Sequence, residues 1–196
     1  MVLFLLTAFT ISNLIAQSAA PNAKPPTACV LLAVEGTAEV LPADSTTWKA
    51  VRAGQILNPG DHIRTGAHSR ATIRLSDLSV MRASELMTME ILPPSPSGGQ
   101  TTLNFTSGRG YFLSREKPHD FQLRTLSAVA AIRGTEFNLE VTESGSTILT
   151  LIDGAVNLSN EQGALALAPG QQGTVEPGQA PVNPSPPASA PADTAE

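Results

Sequence analysis

The chain has 196 residues, 41% of them hydrophobic, and a formal net charge of −5. That length fits one domain with its ends, and that apolar content excludes a globally disordered chain. Aromatic residues make up only 4%, so the core is expected to rest on Val, Leu, Ile and Ala, while 15 Gly and 16 Pro point to many turns between short strands.

Charge is unevenly spread. Residues 1–133 carry 12 basic and 9 acidic side chains (+3), and residues 134–196 carry no basic and 8 acidic ones (−8), which together make −5. No basic cluster of the kind that neutralises phosphates is present, so a nucleic-acid partner is not expected. The acidic second part could meet a basic partner but reads first as a solvated, solubilising face.

In chain order, Val2 to Ala16 is an uncharged, mostly apolar run of 15 residues, short for a membrane span. The small residues Ala16 and Ser18 follow, suited to cleavage after Ser18, so residues 1–18 are read as a signal peptide; an uncleaved anchor is the competing reading. After cleavage no stable transmembrane segment is expected. Residues 19–28, with Pro25 and Pro26, form a linker, and the ordered domain is expected over residues 29–176. Cys29 is the only cysteine, which excludes an intrachain disulfide and reads as a free thiol near a strand start. Residues 177–196 are rich in Pro, Ala and Ser and lack large apolar side chains until the chain ends, so a disordered tail is expected.

Between those ends the apolar residues recur with period two. Ala71, Ile73 and Leu75 alternate with Arg70, Thr72 and Arg74, and Phe137, Leu139 and Val141 alternate with Glu136, Asn138 and Glu140. Each segment is expected to be a half-buried strand. The more continuously apolar Thr147 to Ile152 is expected to be covered on both faces. Residues 83–90 are the best helical candidate but fit another strand better, and residues 93–100 read as a Pro- and Gly-rich surface loop. Three segments centred on Gly36, Gly108 and Gly154 share a pattern of polar residue, Gly, small residue and then an apolar one; it is read as a tight glycine turn feeding a strand, a hint of stacked β coils.

A resemblance emerges from several of these segments taken together. Trp48 to Leu57, the stretch Pro59-Gly60-Asp61-His62-Ile63-Arg64-Thr65-Gly66, the strand running into Asp77, Gly108 to Leu113, Ala128 to Phe137 with its Arg133-Gly134-Thr135-Glu136-Phe137, Asp153 to Val156, and Leu167 to Gln171 stand in the order of the FecR domain. The chain is similar to that family over roughly residues 30–175, with Leu78 standing where the family has Gly. The resemblance implies an all-β domain, expected as a compact β-solenoid or irregular β-helix, with a two-sheet β-sandwich as the alternative. Its motif residues, Trp48, Gly54, Gly60, Asp61, Thr65, Gly66, Asp77, Arg133, Gly134, Thr135, Phe137, Gly154 and Gly170, are expected to be structural. Trp48 is read as a core plate, and Arg133 as an internal cation satisfying carbonyls and a carboxylate such as Asp61.

No constellation of nucleophile and base, phosphate loop or paired carboxylates stands out, so neither a catalytic activity nor a cofactor is expected. His62 and His68 flank a turn near Asp61 and Asp77, yet surface histidines are the default and no metal site is assigned. The expected function is that of an exported FecR-like domain, periplasmic or on the cell surface. It would act as a protein-interaction or signalling accessory or scaffold in the bacterial cell envelope, its partner another envelope protein. Such domains classically contact the signalling domain of a siderophore transporter; with no anti-sigma region read in this chain, an accessory, scaffold or adaptor role is expected. The alternative is a polysaccharide- or cell-wall-binding module using Trp48 and Tyr111, which would need both rings exposed and adjacent.

Overall fold

A computed structural model describes residues 29–76, 79–93, 102–114 and 120–184, with the side chain of Asp120 left aside. These residues form fourteen strands and no helix: β1 (Cys29–Glu35), β2 (Ala38–Leu41), β3 (Lys49–Ala50), β4 (Ile56–Leu57), β5 (His62–Thr65), β6 (Arg70–Arg74), β7 (Val80–Ala83), β8 (Thr88–Leu92), β9 (Thr102–Leu113), β10 (Asp120–Arg124), β11 (Val129–Val141), β12 (Thr147–Asn160), β13 (Gly163–Leu167) and β14 (Gln172–Val175). The all-β expectation holds. Its form is an open, branched network in which every strand is hydrogen-bonded to at least one other. Of the pairings, only β9 with β10 is parallel, whereas the rungs of a regular β-helix stack in parallel throughout.

Three long strands form the spine, and each changes partners midway. Residues 102–107 of β9 lie against β8, and residues 110–113 lie against β7. The start of β11 pairs with β10 and its end with β9, while β12 runs alongside for most of its length. β12 in turn holds β14 with its first half and β13 with its second. Strands β1 and β2 behave as one interrupted strand of the same kind, β1 pairing with β6 and β2 with β5.

Each change of partner falls at a glycine with positive φ: Gly36 at 79°, Gly108 at 93°, Gly134 at 56° and Gly154 at 91°. The repeat read around Gly36, Gly108 and Gly154 is therefore real, but its glycines make corners; two of them lie inside strands, where a tight turn was expected. The corner also resets the alternation. Phe105 and Phe112 are seven positions apart, an odd separation that would put them on opposite faces of a regular strand, yet both are buried. Ile132 and Phe137, and Leu151 and Val156, are likewise odd-spaced across a corner and buried on both sides of it, while β1 makes its own shift between Leu31 and Ala33, ahead of Gly36. One irregular step per corner, of the β-bulge kind, keeps both halves of the strand facing the same interior.

The tightest corner is where β11 and β12 cross it together. Their register slips between Arg133 and Phe137. A Cβ on Gly154 would overlap the carbonyl oxygen of Gly134 and come within 2.7 Å of the Thr135 methyl. The close approach expected at Gly134 is thus bounded from the other side by Gly154.

The interior differs from expectation in one respect. Four of the six phenylalanines, Phe105, Phe112, Phe121 and Phe137, are buried together. Phe112 stacks on Phe137 at 4.6 Å and 5°, and Phe121 lies 6.2 and 6.4 Å from the two. Phe105 meets Phe112 edge-on at 6.3 Å. Aromatic pairs of this geometry add about 0.5–1.5 kcal/mol each beyond the burial of their area. Met81, Met87 and Met89 fill space beside Leu, Ile, Val and Ala.

Two further expectations meet a different structure. Thr147 to Ile152 is not covered on both faces: Leu149 and Leu151 are buried, while Ile152 is 43% exposed. Residues 83–90, read as another strand rather than a helix, are strand only at their ends, with a turn between the end of β7 and the start of β8. The ordered domain continues past residue 176, because the backbones of Thr174 and Val182 exchange hydrogen bonds of 2.8 and 2.9 Å. Residues 1–28, the corner at Asp77 and Leu78, the 94–100 part of the surface loop and residues 185–196 lie outside the described residues.

Replacing Gly154 by Ala should lower stability by about 2–4 kcal/mol in urea unfolding, since a positive φ and a backbone overlap coincide there. Gly163→Ala, at a glycine whose nearest atom is 3.5 Å away and whose φ is not positive, should stay within about 0.5 kcal/mol. Phe137→Ala should cost about 3–5 kcal/mol in the same measurement.

Candidate interaction surface

The motif residues sort by position into turns, corners and core. Arg52 to Gln55, Asn58 to Asp61 and Ala168 to Gln171 are three copies of one turn, each closed by a backbone bond from its fourth residue to its first, at 3.2, 3.0 and 3.0 Å. The third residue of each is a glycine with φ of 87°, 91° and 83°, as a type II turn requires. In every copy the glycine N–H donates to one neighbouring residue, and that residue's N–H donates back to the turn's last carbonyl. The anchors are Leu31, Ile91 and Leu151. Gly54, Gly60 and Gly170 therefore share one structural job.

Asp61 adds a side-chain lock. Its buried carboxylate accepts from the N–H groups of Asn58 at 2.8 Å and Ala43 at 3.2 Å. Thr65, also buried, donates to the Ser84 carbonyl at 2.6 Å and accepts from the Met87 N–H at 3.0 Å, clamping the turn between β7 and β8. Gly66 lies beneath Thr37, where a Cβ would overlap the threonine hydroxyl. Gly134 and Gly154 form the corner described above, Phe137 belongs to the core, and Thr135 is buried with its hydroxyl lacking a hydrogen-bond partner among the described residues.

Two residues are placed otherwise than expected. Trp48 is half-buried rather than a core plate, its ring lying 4.1 Å beneath the guanidinium of Arg64, which also binds Glu39 at 2.7 Å. Arg133 is exposed on β11, and the Asp61 carboxylate is engaged by backbone instead. An odd position relative to buried Ile132 explains the first fact, and a turn needing two acceptors explains the second. Tyr111 is half-buried too, with its hydroxyl on Glu136 and Arg82 at 5.9 Å from its ring. Trp48 and Tyr111 stand on different ladders, each already engaged by an arginine, and do not make a shared aromatic platform. Among the described residues no three His, Cys, Asp or Glu lie close enough together to hold a metal ion; His62 is half-buried and His68 stands exposed beside Glu85.

The concave surface of the domain lies apart from most of the motif residues. A cleft of about 740 Å³ opens where the β5–β6, β7–β8 and β11–β12 turns meet the corner of β9. A smaller hollow of about 220 Å³ adjoins it, sharing Ser84, Arg109 and Glu140. Glu35, Glu85, Glu140 and Glu143 face Arg70, Arg109 and His68 across the cleft. Arg109 binds Glu140 at 2.9 Å, His68 lies 3.6 Å from Glu85, and Arg70 lies 3.8 Å from Glu35. The hydrogen bond to Glu140, and then its charge, raise the Arg109 pKa above the usual arginine value. Such solvent-facing pairs are screened by water and contribute little to stability, so they can be exchanged for a partner's charges at little cost.

Leu86 stands among these charges, 62% exposed and with a φ of 55°. It occupies the turn place that glycine fills elsewhere, and Met87 behind it is anchored by Thr65. A bulky residue held in the left-handed region on the rim of a cleft is unusual. His68 was weighed from sequence as a metal ligand and Gly108 as part of the glycine repeat, but no cleft residue was read as part of a binding surface. The one available signal was Leu86 itself, an apolar residue between turn-forming neighbours and outside the alternation.

The chain was compared with known proteins. The family model described as FecR protein matches residues 61–157. No curated protein matches. Two crystal structures of a candidate anti-sigma factor from Parabacteroides distasonis ATCC 8503 share the fold, each with a TM-score of 0.53 at 18% identity. Each alignment covers 62% of this chain and 58% of that one, so the chain spans less than two thirds of those proteins. At this identity the likeness is one of fold. With its glycine-cornered strands and the Arg133-Gly134-Thr135-Glu136-Phe137 run inside the matched region, the chain carries a FecR domain over residues 61–157.

Proposed function

We propose that this chain is a non-catalytic protein-recognition domain of the bacterial cell envelope, serving a signalling or regulatory system as an accessory or scaffold. The FecR domain supports the regulatory setting, and the candidate anti-sigma factor that shares the fold agrees with it. Export is supported by the apolar run from Val2 to Ala16 and the small residues after it. No helix among the described residues is long and apolar enough to cross a membrane.

The observation that carries the reading is the rim cleft. Exchangeable ion pairs surround one exposed apolar side chain, Leu86, on a base made rigid by the Thr65 clamp. That is the chemistry of a protein-binding surface, with an apolar anchor and a charged rim. The pairs supply specificity and association rate more than affinity.

A photo-crosslinking amino acid placed at Leu86, in intact cells, should capture one envelope protein reproducibly, while the same group at Asn183 should not. Recovery of glycan alone from the Leu86 position would overturn the reading. Arg109→Glu should reduce that capture at least fivefold while leaving the urea midpoint nearly unchanged, because water screens an exposed pair.

A further inference from the structure

The sheet network ends in β3 and β4, two residues each, in β14, whose outer side is bridged by Val182, and in β13, five residues long. Among the described residues β13 pairs with β12 alone. The direction of its hydrogen bonds follows from the ladders behind it. The Thr125 carbonyl side of the β10–β11 turn is closed by Thr125 N–H donating to the Ala128 carbonyl at 2.9 Å. Counting alternately from there, Leu123–Ala130 is a bonded pair, so Ala131 and Val129 bond to Asn157 and Ser159, and Leu158 bonds to Leu165. The two-residue turn between Asn160 and Gly163 has the same parity. Gly163, Leu165 and Leu167 therefore turn their backbone groups toward β12, and Ala164 and Ala166 turn theirs outward.

Natural edge strands are blunted by charge, proline or a bulge. The segment Gly163-Ala164-Leu165-Ala166-Leu167 has none of these, and its ladder with β12 runs without a register shift. Leu167 is buried and Leu165 packs on the core, which holds the strand in place, while Ala164 and Ala166 are exposed. The strand is thus rigid, uncharged and open along its outer side.

Charge and composition select the occupant. Residues 185–196 include Pro186, Pro187 and Pro191, which cannot donate to a ladder. Residues 134–184 carry six carboxylates and no Lys or Arg, so edge-to-edge pairing with a second copy would set like charge against like. Glu161 stands exposed at the head of β13. We propose that the outer edge of β13 is a strand-acceptor site that takes an extended, uncharged segment with basic flanks from a partner protein, completing the sheet by β-augmentation. This inference rests on the protein-recognition reading and assigns it a second contact, distinct from the cleft.

The test uses the full chain and a nine-residue peptide of five alternating Val and Thr residues with two Lys at each end. Amide hydrogen exchange at Ala164 and Ala166 should slow roughly tenfold or more with this peptide. A version N-methylated at all five Val and Thr residues, which blocks both edges, should have no effect. Ala166→Pro should abolish the slowing without shifting the urea midpoint, since the Ala166 N–H makes no bond inside the sheet. Equal slowing by a Glu-flanked peptide overturns the charge assignment and with it the proposal. So does protection of both amides before peptide is added, whether constant (the chain covers its own edge) or rising with protein concentration as sedimentation shows a dimer. No slowing with any peptide overturns the β13 site alone; the protein-recognition reading falls only on the separate Leu86 crosslinking.

Discussion

A strand that serves two parts of a sheet must keep its apolar side chains on the same dry interior before and after it changes partners. Strict alternation cannot do this around a corner, because the strand must rotate as it turns. In this domain the problem is met with one irregular step at each of Gly108, Gly134 and Gly154, each in a conformation that a side chain would strain. The aromatic stack depends on that step: Phe105 and Phe112 sit on either side of Gly108, and Phe137 follows Gly134. Without the shift in parity, half of each long strand would present its apolar face to water.

The family motifs are concerned with this same problem. Gly54, Gly60 and Gly170 close three equivalent turns onto Leu31, Ile91 and Leu151, while Asp61 and Thr65 satisfy backbone groups that the turns leave over. Little in the motifs touches a concave surface. Under the proposed function, partner choice would rest on the charges and Leu86 around the cleft and on the composition of the β13 edge.

The two surfaces offer different physics. The cleft presents exposed ion pairs whose exchange costs little, suited to steering and specificity. The β13 edge presents backbone groups that gain from pairing whatever the partner's side chains, with alternate side chains setting preference. Together they would let one rigid domain hold a partner by a strand and identify it by charge.

The all-β class, the period-two strands around Ile73 and Leu139, the glycine repeat and the FecR domain were legible in the residues, because alternation and turn chemistry act over a few neighbouring positions. Placement was not. Trp48 was read as core and Arg133 as an internal cation, yet which face of a strand is covered depends on partners dozens of residues away. The concentration of four phenylalanines in one stack, the half-exposed side of β12 and the meeting of Glu35, Glu85, Arg109 and Glu140 in one cleft are likewise products of long-range pairing. The sequence by itself determined the local rules of turn, strand and corner; only the tertiary structure decided which side chains share a surface, since register and corner geometry bring distant segments together.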